Sequence, residues 1–154
     1  MEDNFKKLDD GKMITCAVVI INKAGDILGC HGYGKAENTG YDFPKGCADV
    51  GETDIEAALR ELKEETGLVL QQDQLIDCGV YKHNKEKYIH IFMHKTENMP
   101  CIENLVCTSY FEFKGQSFPE INGFKIISKD NRKMFNNVLQ NKFIVIDNFN
   151  NSRL

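Results

Sequence analysis

The sequence of 154 residues has no tryptophan, only three prolines and no C-x-x-C pair among its six cysteines. It also lacks an apolar run long enough to cross a membrane, so we expect no membrane partner. The acidic start, residues 1–4, is unlike a signal or transit peptide, and a net charge of −4 argues against a broad basic face for nucleic acids. Scattered cysteines without metal-site spacing are expected to stay reduced. We therefore predict a cytoplasmic protein without disulfides or a zinc site.

The length of the chain indicates one domain. A chain of this size buries about two thirds of its unfolded surface, and no internal repeat or low-complexity linker marks a boundary. We predict that residues 1–154 form a single domain with flexible ends at 1–11 and 148–154. The sequence leaves the oligomeric state open.

Apolar patterning predicts a set of strands. The nearly continuous apolar run at 12–21 indicates a strand that is buried on both faces, followed by a returning strand at 26–31. The later segments with strand patterning are 75–81, 87–95, 106–113 and 124–127. Glycine and polar residues predict a loop at 32–41 and a turn at 118–121.

Two helices are predicted to flank these strands. The first covers 54–66, because Thr53 and Glu56 form a capping box and Gly67 stands where the helix would end. The second covers 129–141 with Ser128 as its cap, and its apolar stripe consists of Met134, Phe135, Val138 and Leu139. The fold class is therefore α/β, with a mixed sheet between two helices.

The first helix carries an unusual charge pattern. Its apolar stripe, Ile55, Ala58, Leu59 and Leu62, suits packing against a sheet. Three carboxylates lie off that stripe with spacing i, i+3 and i+4: Glu61, Glu64 and Glu65. Such neighbours repel one another by about a few tenths of a kcal/mol per pair, so a cation is expected among them. Clustered hard oxygen ligands suit Mg²⁺ or Mn²⁺.

A solvated acidic face is the plainer explanation of three glutamates, but the surroundings favour a metal site. Arg60 lies within one helical turn of Glu56 and Glu64 and can brace the carboxylates. The preceding segment Phe43-Pro44-Lys45-Gly46 brings exposed backbone and a lysine to the helix entrance, where phosphate binds readily.

Together these residues resemble the Nudix box, G-x5-E-x7-R-E-U-x-E-E-x-G-U, in which U is an apolar residue. Every fixed position is present: Gly46, Glu52, Arg60, Glu61, Leu62, Glu64, Glu65, Gly67 and Leu68. The resemblance implies the Nudix α/β/α sandwich and a hydrolase that uses Mg²⁺ or Mn²⁺. Such an enzyme cleaves a nucleoside diphosphate linked to another group.

The resemblance also implies roles for individual residues. The metal ligands would be the Gly46 carbonyl, Glu61, Glu64 and Glu65. Glu52 would support Arg60 or a second metal, and Arg60 would hold the carboxylates in register. In the element Pro119-Glu120-Ile121, Glu120 is the candidate for metal binding or for the general base, with an ordinary surface carboxylate as the equal alternative.

Substrate contacts are less constrained by the sequence. Lys45 is expected to reach phosphate, and Tyr81 or Tyr88 to stack on a nucleobase, although packing explains either tyrosine equally well. The loop candidates, for which exposure to solvent is the simpler explanation, are His31, Tyr33 and Lys35. His90 and His94 share a strand face, and we interpret them as hydrogen-bonded strand residues rather than metal ligands.

Several substrates fit this pattern. A dinucleoside polyphosphate is the first choice from the Phe-Pro-Lys-Gly lead-in. The alternatives are a capped or triphosphorylated RNA 5′ end, which would require a locally basic channel, a nucleoside triphosphate, and a compound of the ADP-ribose type. A Nudix-fold module that binds nucleotide without hydrolysing it is the non-enzymatic alternative, although such modules usually have a damaged box.

Overall fold

The computed structural model describes residues 4–152. In chain order the elements are β1 (Met13–Ile21), β2 (Ile27–Gly32), β3 (Tyr41–Asp42), β4 (Lys45–Cys47), α1 (Asp54–Thr66), β5 (Ile76–Lys82), β6 (Lys87–Lys95), β7 (Tyr110–Phe113), β8 (Gln116–Pro119), β9 (Ile121–Ile127) and α2 (Phe143–Asn150). Short 3₁₀ segments lie at Gln72–Gln74, Ile102–Asn104, Lys129–Met134 and Asn137–Lys142. None of the helices in this described range is long and apolar enough to span a membrane.

The strands form one large mixed sheet and a separate hairpin. The main path runs β3-β2-β1-β6-β5, with β4 added to β1 and β9 added to β2. β1 and β6 are parallel and stay in register from Met13 opposite Lys87 to Ile21 opposite Lys95. The other pairs are antiparallel, and β7 pairs with β8 outside this sheet.

The central strand β1 explains the layered arrangement. Its residues alternate between two apolar clusters, with Val19 in one and Val18 in the other, and every residue of the strand is buried. The cluster around Val18 includes Ala58 and Leu62 of α1, whereas the cluster around Val19 includes residues of the C-terminal segment. The sheet therefore lies between two helical layers, which confirms the predicted α/β/α class and the doubly buried strand.

Helix α1 forms where the sequence predicts it. The Thr53 side chain accepts a hydrogen bond from the Glu56 backbone N–H, and the Glu56 side chain accepts one from the Thr53 backbone. Gly67 ends the helix with φ of 81°, a conformation that costs other residues more, and its N–H donates to the Lys63 carbonyl. These local signals fix both ends of the helix that carries the glutamates.

The predicted helix at 129–141 is wrong. Lys129–Met134 and Asn137–Lys142 are 3₁₀ segments separated by extended residues Phe135 and Asn136, and the α-helix begins only at Phe143. Tyr41 forms a bridge with Phe135 and accepts a hydrogen bond from the Asn136 N–H. This tertiary pairing outweighs helix propensity that the asparagines already weaken. The predicted stripe still packs in the core, since Phe135 and Leu139 are buried there.

Two further predictions need correction. The expected strand at 106–113 is ordered as a strand only from Tyr110, because the preceding Thr108 N–H donates to the Glu64 carbonyl of α1 instead of to a strand neighbour. The expected turn at 118–121 contains the end of β8, and β9 starts at Ile121, earlier than predicted. Proline is tolerated there because β8 is a strand of a two-stranded sheet with an open edge.

The ends of the chain were predicted to be flexible. Residues 1–3 and 153–154 lie outside the described residues. Phe5 forms an isolated bridge with Asp49, and residues 148–150 belong to α2. The described part of each end is therefore held against the domain.

Candidate active site

The three glutamates of α1 occupy different environments. Glu65 is buried, the side chain of Glu61 is 13% exposed, and that of Glu64 is 40% exposed. Their spacing places all three on the side of α1 that faces β4 and solvent, as the sequence predicts. Solvent exposure of the three carboxylates therefore increases from Glu65, through Glu61, to Glu64.

Gly46 makes room for Glu61. A Cβ added at Gly46 would lie 2.1 Å from Cδ of Glu61 and 2.3 Å from its Oε1. The backbone of β4 therefore approaches this carboxylate more closely than any residue with a side chain allows. The position requires glycine because of this close approach and not because of its backbone conformation, since the φ of Gly46 is outside the left-handed range.

Arg60 donates hydrogen bonds to three carboxylates around the site, those of Glu52, Glu61 and Glu64. Its Nε donates to Glu52 Oε2 at 2.8 Å and its Nη2 to Glu52 Oε1 at 3.0 Å. Its Nη1 donates to Glu61 at 2.7 Å and to Glu64 at 3.4 Å. Hydrogen bonds from Arg60 hold the pKa of Glu52 below its usual value. One guanidinium thus ties the loop before α1 to two of the three glutamates.

Burial changes the protonation of the inner pair. Loss of solvent raises the pKa of Glu61 to about 7, against the opposing charge of Arg60. Burial, followed by the charge of Glu61, raises the pKa of Glu65 to about 8. The Lys45 backbone N–H donates to Glu65 Oε1 at 3.1 Å, which satisfies only one of several acceptor positions. Both groups favour an added positive charge, supplied either by protons or by a cation.

Lys45 lies at the mouth of a small cavity beside Glu65. Its Nζ is 3.3 Å from Asp42 Oδ2, and although burial opposes the change, the charge of Asp42 raises the pKa of Lys45 above its usual value. The cavity has a volume of about 110 Å³, and Lys35, Gly40 and Asn136 also line it. The structure therefore brings together the predicted residues Lys35, Lys45 and Glu65.

A second, adjoining cavity extends this one. It has a volume of about 300 Å³, shares Lys35, Gly40 and Asn136 with the first cavity, and adds Lys133. A groove with two lysines thus leads away from Glu65, although the whole chain is acidic.

Glu120 interacts electrostatically with the glutamates of α1. The residue lies between β8 and β9, where its N–H donates to the Ser109 carbonyl at 3.0 Å. Partial burial of the carboxylate and then the charge of Glu64 raise its pKa above the usual value. The charge of Glu120 in turn contributes to the raised pKa of Glu61 and of Glu65. Four carboxylates therefore share one electrostatic site.

The other predicted side chains lie elsewhere. Tyr81 packs in the cluster on the α2 side, and its hydroxyl donates to the Cys78 carbonyl. Tyr88 donates to Asp10 at 2.6 Å, with Lys12 above its ring. Neither tyrosine lines the cavities around Lys35, so their assignment to a nucleobase gains no support from the structure.

The histidines of β6 are hydrogen-bonded strand residues, as the sequence suggested. His90 lies between Asp54 and Asp77, with nitrogen to oxygen distances of 2.7 Å to each. His94 is 3.0 Å from the Gln74 carbonyl. Asp54 is the first residue of α1, so His90 ties the start of the helix to the sheet.

The residues fit a hard divalent cation. Among residues 4–152 no three side chains of His, Cys, Asp or Glu form a preassembled ligand cluster. Mg²⁺ usually takes one or two carboxylates and completes its shell with water and substrate phosphate, so a preformed cage is not required. The buried carboxylates with raised pKa values, and the glycine backbone against Glu61, supply oxygen donors without a soft ligand.

Sequence reasoning missed four residues of the site. Asp42 pairs with Lys45, Asp49 lies 3.6 Å from Arg60, Asn136 lines both cavities, and Thr108 anchors its segment to Glu64. Asp49 could have been predicted from its position three residues before Glu52 in the same short loop. In the structure the Asp49 N–H donates to the Glu52 carboxylate. The others come from distant segments with no local pattern.

Comparison with known proteins agrees with this geometry. The family model described as NUDIX domain matches residues 11–112. An RNA pyrophosphohydrolase from Francisella tularensis subsp. mediasiatica is 37% identical over 67 residues, which cover 43% of this chain and 41% of that protein. The aligned part is thus less than half of that relative's length.

Solved structures share the fold. The NUDIX domain of Shewanella oneidensis NrtR, complexed with ADP ribose, has a TM-score of 0.64 at 12% identity and covers 92% of this chain and 89% of that one. A bifunctional NMN adenylyltransferase/ADP ribose pyrophosphatase from Francisella tularensis, complexed with AMP and a manganese ion, has a TM-score of 0.58 at 19% identity. It covers 89% of this chain and 42% of that one. At these identities the likeness concerns the fold.

Proposed function

The chain belongs to the NUDIX domain family, and from this premise we propose that it hydrolyses a pyrophosphate bond in a phosphate chain attached to a nucleoside. The observation that carries the proposal is the pair formed by Glu61, which is mostly buried against the Gly46 backbone, and the buried Glu65, with pKa values raised to about 7 and about 8. Arg60 is shared among Glu52, Glu61 and Glu64, so the cluster that also contains Glu65 has more negative charge than this one guanidinium balances.

We propose Mg²⁺ or Mn²⁺ as the cofactor, held by Glu61, Glu64, Glu65 and the Gly46 carbonyl. When bound, the cation neutralises phosphate charge and lowers the pKa of the attacking water. The manganese ion named for the structural relative is consistent with this choice.

The chain's own residues would do the rest. Arg60 keeps Glu61 and Glu64 at fixed positions through the 2.7 and 3.4 Å contacts. Lys45 and Lys35 would bind phosphate oxygens at the cavity. Water attack forms one P–O bond and breaks the bridging P–O bond, and the Glu120 carboxylate would accept the proton of the water. The raised pKa of Glu120, caused by partial burial and then by the charge of Glu64, makes it a stronger proton acceptor than an ordinary carboxylate.

For the substrate, two observations favour a triphosphorylated RNA 5′ end over the dinucleoside polyphosphate that the lead-in segment suggests. The curated relative is named RNA pyrophosphohydrolase. The groove beyond Glu65 contains Lys35 and Lys133, which supply the local positive charge that an RNA backbone needs. The six free cysteines, four of them buried, suit the reducing cytoplasm, where we place the reaction.

Product analysis tests these assignments directly. Purified protein is incubated with 5′-triphosphorylated RNA, diadenosine tetraphosphate or ADP-ribose, each with Mg²⁺, Mn²⁺ or EDTA, and products are separated by ion-exchange chromatography. We expect metal-dependent conversion of the RNA to a 5′-monophosphate, with loss of activity in Glu64→Gln. Cleavage of diadenosine tetraphosphate alone would reassign the substrate. If a nucleotide raises the melting temperature but no compound is cleaved, the protein is a binding module.

A further inference from the structure

The hairpin formed by β7 and β8 stands apart from the main sheet. Its strands pair from Tyr110 opposite Pro119 to Phe113 opposite Gln116. Lys114 and Gly115 form the turn with φ of 52° and 79°, the left-handed pair that matches strand twist in a two-residue hairpin. An isolated two-stranded hairpin is only marginally stable in water, so this one needs support from other residues.

One face of the hairpin is aromatic. Because side chains alternate along a strand, Phe111, Phe113 and Phe118 share a face, and Tyr110 lies on the other. Tyr33, from the loop after β2, contacts this face, with ring centroids 4.9 Å from Phe118 and 5.9 Å from Phe111. Tyr33 is 42% exposed, Phe111 38% and Phe113 58%. These rings therefore remain open to solvent, and we name Tyr33, Phe111 and Phe113 the aromatic platform.

The base of the hairpin is hydrogen-bonded to the backbone of Glu64 in α1 and to the backbone of Glu120. The Thr108 N–H and hydroxyl donate to the Glu64 carbonyl at 2.7 and 3.1 Å. On the other strand, the Glu120 N–H donates to the Ser109 carbonyl, and the Glu120 carbonyl accepts from the Tyr33 N–H, each at 3.0 Å. Phe111 is three positions after Thr108, so its backbone lies within about 10 Å of the Thr108 backbone, the reach of an extended chain.

We propose that the aromatic platform binds the nucleobase of the substrate by stacking, while the phosphates lie at the glutamates and lysines. The inference deepens the function proposed above and rests on it. Aromatic side chains stack on any base through its ring face, and cations contribute beside them. Lys114 Nζ lies 5.3 Å from the Phe113 ring centroid, so the outer end of the platform also carries positive charge for a nucleotide.

Continuity with the site favours a nucleobase over the other occupants of an apolar face. A second copy of the chain could cover these rings, but the backbone hydrogen bonds of Thr108 to Glu64 and of Tyr33 to Glu120 place the base of the platform beside two carboxylate residues of the site. A purely structural role accounts for Phe118, which is the least exposed of the three phenylalanines on this face. It does not account for Phe113 at the tip.

The absence of tryptophan from the chain allows a direct optical test. Phe111→Trp introduces a single indole into the platform, and Tyr110→Trp places the same reporter on the opposite face. ADP and inorganic tripolyphosphate are titrated into each protein while tryptophan emission is recorded. We expect ADP to quench the emission of Phe111→Trp and tripolyphosphate to leave it unchanged. Neither compound should alter the emission of Tyr110→Trp.

Affinity measurements complete the test. Calorimetric titration with ADP should show about five-fold or greater weakening for Tyr33→Leu and for Phe113→Leu, and less than two-fold for the control Tyr110→Leu. Tripolyphosphate affinity should stay the same in all three. Phe113 is at the hairpin tip, so its variant remains informative if the others lower the melting temperature.

Each outcome separates the platform from the hydrolase. Ring-dependent ADP binding without hydrolysis of any substrate supports the platform and removes the proposed function. Hydrolysis by the wild type with unchanged ADP affinity in Tyr33→Leu and Phe113→Leu overturns the platform alone. Equal loss of ADP and tripolyphosphate binding would assign the rings a structural role. If the wild type sediments as a dimer, and Phe113→Leu dissociates it without changing ADP affinity, the rings serve self-association instead.

Discussion

Replacing Gly46 by alanine should inactivate the enzyme while leaving its fold intact. The added Cβ would lie 2.1 Å from Glu61 Cδ, whereas non-bonded carbon atoms settle at about 3.5–4.0 Å, so the carboxylate must move by about 1.5 Å. A misplacement of about 1 Å in a catalytic group can cost about 100-fold in rate. We therefore expect kcat to fall by about two orders of magnitude.

The same displacement should have a small effect on stability. The Glu61 carboxylate is the flexible end of a side chain, and its movement sacrifices mainly the 2.7 Å hydrogen bond from Arg60. Such a bond contributes about 1 kcal/mol, and for a domain of this size that corresponds to a melting temperature lower by about 2–4 °C. Circular dichroism should show an unchanged spectrum.

A matched control and a double-mutant cycle make the assay specific. Gly123→Ala also adds a methyl group in a strand, but its Cβ meets only His31 Cβ at an ordinary 3.7 Å, so activity should persist. In the Glu61→Ala background, Gly46→Ala should cause no further loss, because the group it displaces is already gone. Wild-type kcat in Gly46→Ala, or full additivity with Glu61→Ala, would refute the assignment of Glu61 as a positioned ligand.

Three other changes test the site and its support. Glu65→Gln should lower kcat at least about 100-fold. Glu65→Gln should also raise the melting temperature in EDTA at pH 9. The folded-state pKa of Glu65 is about 8, above the ordinary 4.5, so the wild-type fold loses stability as the pH rises from 4.5 to 8 and the buried carboxylate ionises. Glutamine does not ionise and avoids this loss. Asp54→Asn should lower the melting temperature at pH 7, and the difference should shrink as the pH falls below 3.8. Burial opposes the shift, but hydrogen bonds from His90 and Lys6 outweigh it and lower the pKa of Asp54, so its stabilisation is present above pH 3.8 and is lost as the pH falls through the lower folded value. Arg132→Ala should destabilise the fold by about 3 kcal/mol in urea unfolding. It removes the two hydrogen bonds of 2.6 and 2.8 Å that the Arg132 guanidinium donates to the Asp147 carboxylate.

The catalytic helix could be predicted from the sequence because its signals are local. The capping residues Thr53 and Glu56, the glycine at 67 and the spacing of the glutamates all lie within fifteen residues, and each acts on its neighbours along the chain. Central strand β1 was predicted for a similar reason, since an unbroken apolar run needs cover on both faces.

The C-terminal layer could not be predicted in the same way. Met134 to Leu139 has apolar spacing that suits a helix, yet Phe135 is held extended by its bridge to Tyr41. That contact joins residues 94 positions apart, so it cannot be predicted from the residues near Phe135 in the sequence. The pattern correctly indicated which side chains are buried but not the backbone that buries them, because both backbones place these residues against the sheet.

The tyrosines show the same limit at the substrate end of the site. Alternation along β5 and β6 tells which face a tyrosine occupies, but not which layer covers that face. The structure covers Tyr81 with the C-terminal layer and leaves Tyr88 beside Asp10. In contrast, Tyr33, from a loop, packs against Phe111 and Phe118 of the hairpin formed by β7 and β8. The three glutamates proposed as metal ligands lie on one helix and can be predicted from their spacing, whereas the rings proposed to bind the base come from segments that converge only in the folded chain. The proposed platform would place substrate specificity in the loop at Tyr33 and the hairpin at Phe111, which can change without altering the glutamates.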